Sequence, residues 1–363
     1  MTPATAMIAE PRAIAFFLPQ FHPIPENDLW WGAGFTEWTN VRRARPNFAG
    51  HDQPRVPSEL GYYDLRDPGV LVQQAALARE HGIHAFCYYY YWFDGKRLLE
   101  RPVEEMRISG QPDFPYCLCW ANENWTRRWD GAEHDILIAN VPSRENDARV
   151  IRDLLPHFRD PRYLRVNGRP LFMVYRIGTL PDAAATIALW REICMREGVG
   201  EIYLCAGKTY ESANPIQLGF DAVIEFPPHG VRTPAINERV EIANPDFRGI
   251  IVDYRQFVVD MLAMAAPDQR LHRTVMPGWD NTARRQDHAL TFVHATPEVY
   301  EVWLEETAAR ALRDNPPGER LVFINAWNEW AEAAYLEPDT RYGRQYLLAT
   351  QRALARATGA VAR

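Results

Sequence analysis

Leu321-Val322-Phe323-Ile324-Asn325-Ala326-Trp327-Asn328-Glu329-Trp330-Ala331-Glu332 is the stretch on which the reading of this chain turns. Its four leading apolar residues read as a buried strand. A segment rich in amide and indole follows at once, with two carboxylates three residues apart. An isolated Glu-x-x-Glu fits two solvated acids opening a helix, where the dipole favours negative charge. The same mixture of acid, amide and indole recurs, however, in Thr36-Glu37-Trp38-Thr39-Asn40 and in Trp120-Ala121-Asn122-Glu123-Asn124-Trp125. Helix ends do not explain three such clusters. Sugar chemistry does: indoles stack on the apolar faces of pyranose rings, and carboxylates move protons at a glycosidic oxygen.

Working outward, further apolar runs lie at 13–18, 84–91, 114–121, 170–175, 201–206, 221–226 and 273–279, which with 321–326 makes eight strand candidates. Amphipathic stretches fill the gaps. Asp67-Pro68, Pro181-Asp182 and Thr296-Pro297 each supply a capping side chain and a proline where a helix begins, and Gly82 and Gly198 stop the first two helices. Weaker helical patterns cover 144–155, 254–265 and 342–356. Strands alternating with helices predict an α/β fold, a (β/α)8 TIM barrel with long βα loops, over residues 1–363 as a single domain.

In such a barrel catalytic residues sit at the C-terminal ends of the strands. Gln20 and His22 follow the first strand, and the long loop after them carries Trp30, Trp31, Glu37 and Trp38. Tyr90, Trp92 and Asp94 end the second strand, and Asn122, Glu123 and Trp125 the third. Trp279, Asp280 and Asn281 end the seventh, and Asn328, Glu329 and Glu332 the eighth. Every polar-aromatic cluster falls at the same end of its strand. Gln20, His22, Trp30, Glu37, Trp38, Tyr90, Asn122, Glu123, Trp125, Trp279, Asp280 and Asn328 are therefore the expected sugar-binding residues. Of the Tyr88–Tyr91 run alternation lets half face the barrel axis, and Tyr90 is the choice.

Composition narrows the partners. A net charge of −7 lacks the basic footprint of a nucleic-acid binder. No apolar run reaches the ~20 residues that span a bilayer, and residues 1–12 lack the basic start and apolar centre of a secretory signal. The five cysteines read as free thiols of a reducing compartment, so a cytoplasmic location is expected. Cys117-x-Cys119 has no matching Cys or His pair, so neither a metal nor a cofactor is expected. Arg127-Arg128 reads as a solvated or salt-bridged pair that an anionic sugar would also suit.

Two carboxylates on one turn share one side of a site and suit neighbouring positions on one sugar. One can protonate the leaving oxygen while the other acts at an adjacent hydroxyl. If that hydroxyl is O2, the sugar supplies its own nucleophile, which requires O2 trans to the leaving group, as in α-mannosides and α-rhamnosides.

Leu18-Pro19-Gln20-Phe21-His22-Pro23, Gly34-Phe35-Thr36-Glu37-Trp38, residues 88–93 with Gly95-Lys96-Arg97, Trp120-Ala121-Asn122-Glu123-Asn124-Trp125-Thr126, and 325–332 with Glu337-Pro338 together resemble the WbsX-like proteins. Those proteins occur with bacterial surface-polysaccharide synthesis and are related to glycoside hydrolase family 99, the endo-α-mannosidases. The resemblance spans nearly the whole chain in matching order. It implies a (β/α)8 barrel without a metal, a polysaccharide or oligosaccharide substrate, and polysaccharide-biosynthesis partners. Glu329 is implied as the base that deprotonates O2, and Glu332 as the general acid/base at the leaving oxygen. The histidine of the endo-mannosidase motif is Ala331 here.

The expected activity is a retaining glycoside hydrolase or transglycosylase. A glycosyltransferase of surface-polysaccharide synthesis is the alternative: Glu329 and Glu337 satisfy a Glu-x7-Glu spacing, but an Asp-x-Asp and a Gly-rich phosphate loop are missing. A non-catalytic sugar-binding protein would keep the indoles without needing both glutamates.

Overall fold

The computed structural model describes residues 10–127, 132–209, 213–230, 232–265 and 269–361. Its centre is a ring of parallel strands: β1 (Arg12–Phe17), β2 (Ile83–Phe93), β3 (Tyr116–Trp120), β4 (Arg169–Val174), β5 (Tyr203–Lys208), β6 (Ala222–Glu225), β7 (Leu271–His272 with Thr274–Val275) and β8 (Leu321–Ile324). All eight expected strands are present, and the fold is the (β/α)8 barrel. Helices cover the outer face, so both faces of each strand are buried and the strands read as continuous apolar runs. All six residues of β1 and all five of β3 are buried.

Strand seven departs from expectation. In place of a run over 273–279 it consists of two short pieces, Leu271–His272 and Thr274–Val275. The first pairs with β6 and the second with β8, where Thr274 faces Phe323. Arg273 makes the break, turning outward to Glu225 at 3.3 Å, while the Thr274 hydroxyl donates to the Glu225 carbonyl. Side chains thus carry the barrel across the seam that the backbone ladder leaves. Along the other edge of β8 comes β1, which is bonded to both β2 and β8, with Ala15 level with Phe86 and Ile324. This register brings the ends of β1, β2 and β8 to one mouth.

Helix starts obey their capping signals. The Asp67 side chain accepts from the Gly69 N–H, Asp182 from Ala185 and Thr296 from Val299. The weaker patterns become helices at Arg144–Phe158, Tyr254–Ala263 and Gln345–Val361. The long loop after β1 contains two further helices, Pro25–Trp31 and Glu37–Arg43. A small parallel pair, Ile250–Asp253 with Leu290–Val293, packs beside the barrel over Phe48 and Phe247. Among the described residues no helix is long and apolar enough to cross a membrane. Arg128 and residues 1–9 lie outside the described residues.

Candidate active site

The turn after β8 is built to aim two carboxylates into the barrel mouth. Asn328–Glu329 pairs with Ala334–Tyr335 as a short antiparallel ladder, and the 3-10 turn Trp330–Glu332 joins them. Asn328 ties this ladder to β1: its side chain accepts from the Leu18 N–H at 2.7 Å and donates to the Leu18 carbonyl at 3.0 Å. Trp330 stacks on Tyr335 at 3.8 Å and donates to Glu337 at 2.6 Å. Glu337 also accepts from Tyr63 and Gln74. It is buried behind the turn, away from the cleft, so the Glu-x7-Glu spacing does not place two acids across one ligand.

Glu329 and Glu332 converge on Arg284. One terminal nitrogen of its guanidinium donates to Glu332 at 2.6 Å, the other to Glu329 at 2.9 Å, and Nε to Glu37 at 2.9 Å. Arg284 sits on the short helix Thr282–Arg285 after strand seven. Glu37 opens the helix Glu37–Arg43, which Thr36 caps. Three carboxylates on one guanidinium would leave two excess negative charges if all were ionised. Burial penalises that charge, and the site takes up a proton instead. Burial pushes Glu329 up to about 8 despite Arg284, with Glu332 and Glu37 adding to the rise. Burial likewise raises Glu332. The guanidinium itself is raised, its three carboxylates outweighing the cost of burial. The pair titrates as a unit and holds a proton at neutral pH, as an acid catalyst must.

Above these acids lies a cleft of about 630 Å³, lined by both glutamates, Arg284, Gln20 and Glu123. Its aromatic walls are Trp31, Tyr89, Tyr91, Trp125, Tyr175 and Trp279. Gly207 of β5 admits one wall: a Cβ there would lie 2.5 Å from the Tyr175 carbonyl oxygen. Gln20 is buried with its amide nitrogen unpartnered, as is the Trp279 indole nitrogen.

Of the expected sugar-binding residues, then, Gln20, Glu123, Trp125 and Trp279 line the cleft, and Glu37 reaches it through Arg284. The others stand behind it. His22 is buried off the cleft, and burial drives its imidazole down to about 4. Trp30 packs edge-on against Trp125, 5.9 Å away, and its neighbour Trp31 takes the cleft position. Trp38 is core, donating its indole N–H to the Tyr63 carbonyl. Asn122 accepts from the Arg176 N–H and donates to the Arg176 carbonyl and Thr179, fixing the loop after β4. Asn328 clamps β1 as described.

Asp280 faces away as well. It accepts from Gln53 and Thr282 and pairs with His51 at 2.7 Å, and these partners depress its carboxyl although burial opposes them. Its role is to cap the turn that carries Arg284. Tyr90 points outward and donates to Asp153 at 2.9 Å, so Tyr89 and Tyr91 face the cleft. Alternation holds in that run, with its phase reversed. Tyr90→Phe should accordingly leave oligosaccharide affinity unchanged and cost about 1 kcal/mol of stability, one lost hydrogen bond. Calorimetric titration together with urea unfolding checks both halves.

Arg284, like the wall residue Tyr175, is a member that sequence reasoning missed. The available signal was its position, three residues after the Trp279-Asp280-Asn281 cluster at a strand end. Among the described residues no group of three or more His, Cys, Asp or Glu is placed to hold a metal.

The sequence model of the family described as Glycosyltransferase WbsX matches residues 13–350, and the chain belongs to that family. Two curated relatives, both named uncharacterized protein WxcX and from two strains of Xanthomonas campestris pv. campestris, are 49% identical over 344 residues, or 95% of this chain. The chain spans about half the length of these relatives. Among solved structures, the GH99 endo-α-mannosidase from Bacteroides thetaiotaomicron superposes with a TM-score of 0.59 at 16% identity, covering 97% of this chain and 99% of that one. Its complex with bis-tris-propane gives 0.62 at 17% identity, covering 97% and 98%. A protein described as glycoside hydrolase-like gives 0.55 at 13%, covering 98% and 96%. At these identities the likeness is one of fold. Family and fold together point to a carbohydrate-active enzyme.

Proposed function

We propose that this member of the WbsX family is a retaining glycoside hydrolase or transglycosylase. Its substrate would be α-linked mannose- or rhamnose-type residues of a bacterial surface polysaccharide. The observation that carries the reading is the pair Glu329 and Glu332, bound to adjacent nitrogens of one guanidinium on the floor of an aromatic-walled cleft. Both carboxyl groups therefore lie on one side of the site, whereas attack by a protein nucleophile needs them on opposite faces of the sugar.

In the proposed reaction substrate binding draws the pair's shared proton, which burial favours on Glu329, over to Glu332, and Glu329 is left ionised against Arg284. Glu329 takes the O2 proton, O2 attacks the anomeric carbon, and Glu332 protonates the departing glycosidic oxygen. A 1,2-anhydro sugar results. Water, or a sugar hydroxyl in transfer, then opens it at the anomeric carbon, giving its proton to Glu332, while Glu329 returns its proton to O2. Two inversions leave the anomeric configuration retained. Gln20, Glu123 and Trp125 would hold the ring, Glu37 would share in the charge of Arg284, and proteins of polysaccharide synthesis would be its partners. The five cysteines are free and buried, which supports the reading of a cytoplasmic enzyme.

Substrate chemistry tests this directly. A 2-deoxy or 2-O-methyl analogue of a cleaved oligosaccharide should bind and react very slowly, because it lacks the nucleophile. Rapid cleavage of the 2-deoxy analogue would remove neighbouring-group participation. A glycosyltransferase would instead be stabilised against heat by UDP- or GDP-sugars and not by oligosaccharides.

A further inference from the structure

A second cavity, of about 840 Å³, lies across a thin wall from the cleft. The wall is two backbone plies. Asp280 and Thr291 face each other in an antiparallel bridge, the Phe292 N–H donates to the Trp279 carbonyl, and the Asn281 N–H donates to that of Leu290. Alternate residues of such a pair point to opposite sides. Asn281 and Leu290 accordingly line the cleft, Asp280 and Thr291 line the cavity, and the Trp279 indole lines both. The proposed reaction makes no use of this space.

Its lining has aromatic faces and spare donors. Arg55 and Arg341 both pair with Asp52, at 2.6 Å and 2.9 Å, so two guanidiniums share one carboxylate. Arg341 also lies over the Tyr342 ring, 5.1 Å from its centroid. Two of its carboxylates, by contrast, are committed. Asp280 is taken up by His51, Gln53, Thr282 and Thr291, and Asp339 by the Tyr335 hydroxyl and the Arg341 and Tyr342 N–H groups. The Nε atom of Arg55 and the indole nitrogen of Trp279 are buried without a hydrogen-bond partner. Planar donors beside aromatic faces suit a ligand with many hydroxyl acceptors and apolar ring faces.

We propose that this cavity is a second saccharide subsite. Units of the polysaccharide beyond the linkage held in the cleft pass over Trp279 and lie against Arg55, Arg341 and Tyr342. The inference rests on the sugar substrate proposed above, and adds that recognition extends past the reacting residue. A binding series separates the two claims. Glu332→Gln protein is titrated calorimetrically with α-linked mannose and α-linked rhamnose oligosaccharides from the disaccharide to the hexasaccharide. Affinity should rise with length. Adding Arg341→Ala, at an exposed position, should weaken the longer oligosaccharides by about tenfold, the scale of one lost charged hydrogen bond. The disaccharide should bind as before. Tyr342→Ala should act in the same direction, whereas Trp125→Ala, in the cleft, should weaken every length. Unchanged length dependence in both cavity variants would overturn the second subsite and leave the cleft standing. Failure of every oligosaccharide to bind the Glu332→Gln protein would overturn both.

Discussion

Glu332→Gln and Glu329→Gln should each lower oligosaccharide turnover by about 10²-fold or more, the scale of general acid–base catalysis. An amide keeps the shape of the side chain and its place near Arg284, but it neither delivers nor accepts the proton. The expected loss is in kcat, with substrate affinity largely retained, because the proton moves only in the transition state. The parent's pH profile should report the same pair. Burial holds Glu329 up to about 8, so the shared proton persists through neutrality and activity should fall as pH rises past about 8. Steady-state kinetics of both variants across pH check this. Turnover within a few-fold of the parent in both would remove the assigned mechanism.

Arg284→Met should destabilise the fold by about 3–5 kcal/mol at neutral pH, the range for a buried ion pair stripped of one partner. Three carboxylates would then face one another with their common counter-charge gone. The sign of the pH dependence follows from the direction of the shifts. Glu329 and Glu332 are raised in the folded protein, and more so without Arg284, so the fold binds their protons more tightly than the unfolded chain does. The stability this confers is fully present below the ordinary carboxylate range and is lost as pH rises through the raised values. Urea unfolding should therefore show the variant's deficit growing as pH rises towards and past about 8, where the parent's pair gives up its proton and the variant's carboxyls still hold theirs. Adding Glu37→Gln, which removes one of the three charges, should restore part of it. A deficit independent of pH would mean that Arg284 acts by packing alone.

The architecture was legible in the sequence because a barrel of parallel strands repeats one simple pattern. Apolar runs alternate with capped helices, and Asp67, Asp182 and Thr296 cap where the residue types say they should. Strand seven is less legible because Arg273 breaks its ladder while the apolar pattern runs on. Glu329 and Glu332 stood out through their spacing and place after a strand.

What could not be read was direction. Tyr88-Tyr89-Tyr90-Tyr91 is aromatic on both faces, so no polar residue marks which side meets the ligand. Trp327 and Trp330 lie in the most sugar-like segment of the chain, yet both are buried. The indoles that do face the cleft, Trp31, Trp125 and Trp279, come from three other loops. His22 and Asp280 have the residue types of a site and serve as buried neighbours and caps. Arg284 carries no mark in the sequence, because an arginine in a loop is usually solvated. Only the fold brings Glu37, Glu329 and Glu332 onto it from distant parts of the chain.

The account's central claim is that the Glu329–Glu332 pair cleaves an α-linked sugar through its own O2. The most direct test follows the anomeric proton by NMR during the first turnovers on an α-mannoside or α-rhamnoside oligosaccharide. The account predicts that the α-anomer of the product appears first and mutarotates afterwards, and that Glu332→Gln protein gives no signal on the same timescale. Initial appearance of the β-anomer would contradict it.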